Sequence, residues 1–226
     1  MKNRPICVFD FETDGVNPLI CNPVQLAALM IDGKKLNIIE GSEFCIDMQP
    51  PDINNKSYLT NEIQGTINWH AKNYNTTAEV IIEKWKRAVD QRAAWEMFLN
   101  YFNKYNPKGT VYFAPMLGGM NIIDFDIPIF KRLMKTYGTK DFFWKRDKAD
   151  LLHLCYYWFE SLDEPKAYNL DTLREYFGIE KEGGHDALKD VRDTADLLIR
   201  FLKLHRKCAT KVKFKNACNH IVDTDS

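Results

Sequence analysis

Two carboxylates one residue apart, Asp10 and Glu12, close the run Ile6-Cys-Val-Phe-Asp10-Phe-Glu12-Thr13-Asp14-Gly15. Side chains alternate along a strand, so Ile6, Val8, Asp10 and Glu12 share one face while Cys7, Phe9 and Phe11 share the other. A strand that is apolar on both faces belongs inside an α/β sheet, and such folds place their sites at strand carboxyl ends. Asp10 and Glu12 are therefore expected to point together into a cleft. Like charges held so close take up protons unless a cation sits between them. An oxygen-only set suits a hard divalent ion such as magnesium or manganese and leaves positions for water and substrate phosphate. Taken alone, the pair also fits a strand running into an acidic turn at Asp14-Gly15.

Two later segments carry the same kind of residue. Gly118-Gly-Met-Asn121-Ile-Ile-Asp124-Phe125-Asp126-Ile-Pro128 brings acids to the start of a helix, where phosphate is welcome. Either aspartate could cap that helix. Asp124, four residues before Pro128, is the better candidate for the cap, which leaves Asp126 as the ligand. Gly183-Gly-His185-Asp186-Ala187-Leu-Lys-Asp190 is a glycine-led entry into a last helix. There Ala187, Val191, Ala195 and Leu198 form the buried stripe, with Asp190 beside it and His185 one turn earlier. Asp186 and Asp193 read as surface charge.

The elements that must hold these residues follow from periodicity and punctuation. Val24 to Ile31 and Phe44 to Met48 continue the first strand as an antiparallel meander around Asp32-Gly33. Pro50 to Asn75 is polar and irregular, with a short helix near Thr60 to Ile63. Thr77 caps a helical region in which Val80, Trp85, Val89, Trp95, Leu99 and Phe102 fall at helical spacing, its aromatics reading as core, ending by Pro107-Lys-Gly109. Thr110 to Ala114 reads as a strand, Pro115 to Gly119 as a loop, and Phe125 to Tyr137 as a helix stopped by Gly138. Asp150 and Asn169 cap two short helices, and the last helix spans Asp186 to His205. The expectation is one domain over residues 1–205 and a solvated basic tail over 206–226.

Composition excludes some classes. With 31 basic and 31 acidic residues in 226, the chain has no global basic signal, yet phosphate held through metal ions needs none. No apolar stretch approaches the ~20 residues that cross a bilayer, and the N-terminus has no hydrophobic signal core, so a cytoplasmic protein with no membrane partner is expected. The six cysteines show no paired framework and read as free thiols, and Cys208, Cys218 and His220 lack the fourth ligand of a zinc site.

Together the three segments resemble the DnaQ-like branch of the DEDD 3′-to-5′ exonucleases, in the variety whose third motif carries histidine. Phe9 to Gly15 with Val24-Gln-Leu-Ala27 is similar to the first motif and its following strand, Asn121 to Pro128 to the second, and His185 to Asp190 to the third. Asn169-Leu170-x-x-Leu173 and Phe177-Gly-Ile179 resemble the segment before the third motif. The resemblance runs in order over residues 5–203 and implies an RNase H-like, mixed five-stranded sheet flanked by helices. Residues 50–72 depart from the cellular pattern, although Thr66-Ile-Asn-Trp69 resembles standalone phage exonucleases.

The resemblance implies that Asp10, Glu12, Asp126 and Asp190 hold two Mg²⁺ or Mn²⁺ ions, with Asp10 bridging them, and that His185 is the general base. It places Thr13, Asn121 and Phe125 against the terminal nucleotides. The implied reaction is hydrolysis of the terminal phosphodiester of single-stranded DNA from its 3′ end, releasing nucleoside 5′-monophosphates. The enzyme would be freestanding, and any replication or repair partner would be a separate chain. An RNA-trimming enzyme of the oligoribonuclease or RNase T kind is the rival on the same chemistry. A nonhydrolytic nucleic-acid-binding module is the rival from another class.

Overall fold

The structure is a computed structural model in which residues 4–180 and 186–212 are described. Its centre is β1 (Ile6–Thr13), which pairs antiparallel with β2 (Pro23–Ile31) from Ile6 opposite Ile31 to Glu12 opposite Gln25. β2 pairs antiparallel with β3 (Phe44–Gln49), which completes the expected meander. On the other side β1 runs parallel to β5 (Met116–Gly119), and β5 runs parallel to β6 (Lys148–Asp150). The two-residue β4 (Val89–Asp90) adds to the edge of β3, so among the described residues the mixed sheet has six strands in the order β4-β3-β2-β1-β5-β6 rather than five.

Alternation along β1 divides the core as the sequence requires. Cys7, Phe9 and Phe11 face α3 (Gln91–Asn103) and α4 (Asp126–Thr136), where the rings of Phe9 and Phe130 stack with centroids 4.4 Å apart. Ile6 and Val8 face the opposite layer of α5 (Leu151–Phe159), α6 (Leu170–Phe177) and α7 (Ala187–Val212). A third, smaller cluster joins α1 (Asn61–Asn73) to α2 (Ala78–Arg87) through Ile67, Ala71, Ile81 and Trp85.

Several expectations are corrected. Thr110 to Ala114 is a turn, and the strand is Met116–Gly119. Its glycines are required by the closeness of β5 to β1: a Cβ on Gly119 would lie 2.7 Å from the Phe9 carbonyl oxygen, and one on Gly118 2.8 Å from Ile6 Cγ2. The helical region after Thr77 is two helices, broken where Val89 pairs with Met48 and restarted by Asp90, whose carboxylate accepts from the Arg92 and Ala93 amides. The irregular stretch before it contains the thirteen-residue α1, capped by Thr60. Helix α7 continues past His205 to Val212, held there by Arg206, which donates to the carbonyls of Gly33 and Lys34. The expected tail thus begins as helix, and residues 213–226 lie outside the described residues. Among the described residues the cysteines are free thiols, and no helix is long and apolar enough to cross a membrane.

Candidate active site

At the carboxyl end of β1 the side chains of Asp10 and Glu12 emerge on the α7 side of the sheet, half-buried. Helix α7 brings Asp190 to them. Its start is capped by Asp186, whose carboxylate accepts from the Leu188 and Lys189 amides at 2.9 and 3.3 Å, and Ala187, Val191, Ala195 and Leu198 bury its inner stripe. With that stripe fixed, Asp190 stands just off it and faces the strand end. Ligand oxygens of Asp10, Glu12 and Asp190 all lie within 4.8 Å of one another. Burial, and then the neighbouring Asp190 charge, push the Asp10 carboxyl up to about 7, and burial with Asp10 and Asp190 raises Glu12 well above the usual range. Such a set stores repulsion that a cation relieves, and its all-oxygen donors fit a hard divalent ion.

Asp126 lies behind this trio. It is the first residue of α4, only 2% exposed, and its Oδ1 accepts from the Phe11 amide at 3.0 Å. Burial, with Asp10 as the next cause, raises its carboxyl well above the usual value. Asp124 does not cap α4: the cap position is Phe125, with no side-chain cap bond, and Asp124 is exposed. The loop before α4 is held by Asp150, which accepts from the amides of Asn121 and Ile123 and also caps α5 through the Leu152 amide.

Beside Glu12 opens a cavity of ≈470 Å³, walled by Phe11, Thr13 and Phe125 from one side and by Thr66, Trp69 and His70 of α1 from the other. Its surface is mainly apolar, and Trp69 keeps 45% of its surface exposed. His70 is buried, and its Nε2 lies 3.0 Å from the Thr13 carbonyl oxygen. A carbonyl can only accept, so Nε2 carries the proton and Nδ1 faces Glu12 Oε2 at 4.0 Å. The imidazole therefore braces the strand end that carries Glu12. Thr13 is buried, with its hydroxyl donating to the Gly15 carbonyl at 2.7 Å. Asn121 does not join this cavity; with φ +55° it lines a separate one of ≈590 Å³ together with Tyr156, Lys166 and Tyr168.

A buried cation closes the other side of the site. Arg174 on α6 is 1% exposed and donates to Asp190 Oδ1 at 2.5 Å, Asp193 Oδ2 at 2.7 Å and Asp171 Oδ1 at 2.8 Å. Asp193, expected to be surface charge, is thus buried and paired, and it also receives Lys189 Nζ at 2.5 Å. His185 lies outside the described residues.

A family model described as an exonuclease, RNase T, matches residues 7–198. The chain belongs to the RNase T exonuclease family. Among curated relatives of this RNase T family chain, a PolC-type DNA polymerase III of Thermotoga petrophila is 25% identical over 208 residues, which is 91% of the chain but 12% of the polymerase. Exonuclease I of E. coli in complex with a dT13 oligonucleotide superposes with a TM-score of 0.67 at 19% identity, over 92% of this chain and 43% of that one. A zinc-bound form of the E. coli exonuclease I complex with single-stranded DNA gives 0.63 at 21% identity, over 89% and 43%. These likenesses carry the RNase H-like fold expected from the motifs, and the RNase T family chain spans less than half of the length of both the polymerase and exonuclease I.

The candidate site also contains residues outside the three motif segments. Trp69 belongs to the Thr66 to Trp69 stretch that resembles standalone phage exonucleases, whereas His70 carries no such mark; polar residues between Ile63, Ile67 and Ala71 obscure their helix, although that i, i+4, i+8 spacing after a threonine cap is a usable signal. Arg174 had no signal of its own, since an arginine in a short amphipathic helix ordinarily faces water.

Proposed function

We propose that this RNase T family member is a metal-dependent 3′-to-5′ exonuclease that removes nucleoside 5′-monophosphates from single-stranded DNA. The observation that carries the reading is the convergence of Asp10, Glu12 and Asp190 oxygens within 4.8 Å beside an aromatic cavity. Asp10, Glu12 and Asp190 would hold Mg²⁺ or Mn²⁺, with Asp126 behind Asp10 as the fourth acid of a two-ion set. Such ions, when bound, supply an acidified water and neutralise charge on the departing oxygen.

The chain's own residues supply the rest. Phe125 and Trp69 offer ring surface to the terminal base, a contact that any base satisfies once it is unstacked and that suits a single-stranded end. Thr13 borders the same cavity, whereas Asn121 lines a separate one. His70 keeps the Glu12 strand end in place through the Thr13 carbonyl. His185 is assigned the general base because a neutral imidazole, with an ordinary pKa of about 6.5, accepts a proton near neutral pH. The oligonucleotide complexes of exonuclease I support the choice of a DNA strand as substrate. A replication or repair protein carried on a separate chain remains part of the proposal.

The test is a product time course on end-labelled single-stranded DNA, duplex DNA and RNA, with magnesium or with EDTA, for the wild type and for Asp10→Ala and Asp190→Ala. Stepwise shortening from the 3′ end of single-stranded DNA, lost in EDTA and in both variants, is expected. Internal cuts would sink the reading, and attack on RNA alone would replace its substrate.

A further inference from the structure

Arginine at position 174 is a costly residue to bury, and the way it is buried points to a task. Its guanidinium, 1% exposed, spends three donors on three carboxylates, Asp171, Asp190 and Asp193. Asp171 is on its own helix, but Asp190 and Asp193 are on α7, so the fork ties the two helices together across the edge of the site. Asp193 has a second cation, Lys189, at 2.5 Å, and Asp171 is half exposed to water. Neither of those two acids needs Arg174 to be tolerated. Arg174 pairs directly with the Asp190 carboxylate. Its field also reaches Asp10, whose carboxyl it pulls down against the lift from burial and from Asp190.

We propose, resting on the nuclease reading above, that Arg174 is a positioning residue: a buried counter-cation that fixes the Asp190 carboxylate for metal binding and offsets the crowded acids when no ion is bound. Two opposing effects follow from one contact. Holding Asp190 Oδ1 at 2.5 Å restricts the carboxylate to one orientation, which favours productive geometry. A fixed positive charge beside the site also repels a divalent ion and makes binding weaker than three unpaired carboxylates would allow. Arg174 therefore trades ion affinity for geometry. A residue that merely glued α6 to α7 would not separate the two.

The experiment compares wild type, Arg174→Met and Arg174→Lys, using Mn²⁺ alone as the probe. Calorimetric titration gives Mn²⁺ affinity, thermal melts give the stabilisation by Mn²⁺, and turnover on an oligo-dT strand is read at saturating Mn²⁺. Arg174→Met is expected to bind Mn²⁺ at least as tightly as wild type, with a larger rise in melting temperature, because the repelling charge is gone. Its turnover is expected to fall about 10–100-fold, the scale of a small misplacement of a reacting group. Arg174→Lys keeps the charge and loses the fork, so its Mn²⁺ affinity stays near wild type while turnover falls; this variant carries the test if the methionine one does not fold. Unchanged turnover in both variants, or affinity and turnover falling in step, overturns the proposal. If the wild-type chain cleaves nothing, the nuclease reading fails, and the calorimetric and melting comparisons still test whether Arg174 opposes ion binding.

Discussion

The Phe11 amide donates to Asp126 Oδ1 at 3.0 Å, so the second acidic segment is fastened to the backbone of the first between Asp10 and Glu12. A side chain on α4 thereby sets the height of that helix against β1, and it does so at the point where the acids converge. Asp126 consequently has two jobs: it satisfies a buried amide and it adds charge next to Asp10.

Substitutions separate these jobs. Asp126→Asn keeps an oxygen for the Phe11 amide and removes the charge, so it should stay folded while activity drops by two orders of magnitude or more, about the scale of losing a charge-stabilising group. Asp126→Ala also orphans a buried donor and should cost about 1–3 kcal/mol. Asp124→Ala should change stability by no more than about 0.5 kcal/mol and leave activity intact, because Asp124 is exposed and caps nothing. Melting curves with exonuclease rates on the three variants check this, and loss of activity in folded Asp124→Ala would reassign the second motif.

Acid crowding also predicts how stability depends on pH when metal is withheld. The Asp10 carboxyl is raised from its ordinary 3.8 to about 7 by burial and by Asp190. The folded state then binds the proton more tightly than the unfolded chain, so this group's contribution is fully present below the unfolded value and is lost as pH rises through about 7. In EDTA the wild type should lose melting temperature relative to Asp10→Asn as pH goes from 4 to 8, the range that spans this shift. Added Mn²⁺ should cancel that loss and bind more tightly at the alkaline end. Parallel curves for the two proteins in EDTA would contradict the repulsion on which the metal assignment rests.

What the sequence could reveal was what depends on near neighbours. The in-and-out alternation of β1, the meander, and the caps at Thr77, Asp150 and Asn169 are local patterns, and all are found in the structure. So is the convergence of Asp10, Glu12 and Asp190, because each sits at a definite end of a recognisable element. What escaped depends on contacts distant in the chain. Val89 becomes a strand because Met48 is beside it, and apolar spacing on either side of the break conceals it. Arg174 becomes buried because Asp190 and Asp193 arrive from another helix. Asn121 matches a motif position, yet its backbone turns it into a cavity other than that of Thr13 and Phe125.

The aromatic cavity yields a prediction about affinity separate from chemistry. Trp69 is 45% exposed with its ring edge-on to His70, so Trp69→Ala should lower the melting temperature only partly and leave the chain folded. Base stacking on an aromatic ring is worth about 1–3 kcal/mol, so KM for single-stranded DNA should rise about 5–150-fold, with a smaller effect on kcat. A steady-state comparison on oligo-dT measures both. An unaltered KM would move the terminal base away from α1 and toward the cavity beside Asn121.

Gly119 links packing to function most directly. The β5 strand ends there, two residues before Asn121, and an added Cβ would stand 2.3 Å from Ile122 Cγ2 and 2.7 Å from the Phe9 carbonyl oxygen. The isoleucine side chain can shift, but the carbonyl belongs to the strand that carries Asp10 and Glu12 and is held in register by β2. Gly119→Ala must therefore push β5 away from β1, at a cost of about 1–3 kcal/mol for overpacking. Displacement of β5 would carry the Asn121 to Asp126 segment with it, so activity should fall further than stability alone explains. Denaturant unfolding gives the first quantity and turnover under fully folded conditions gives the second. A destabilised variant with wild-type turnover would mean that the acids do not depend on the β1–β5 contact for their spacing.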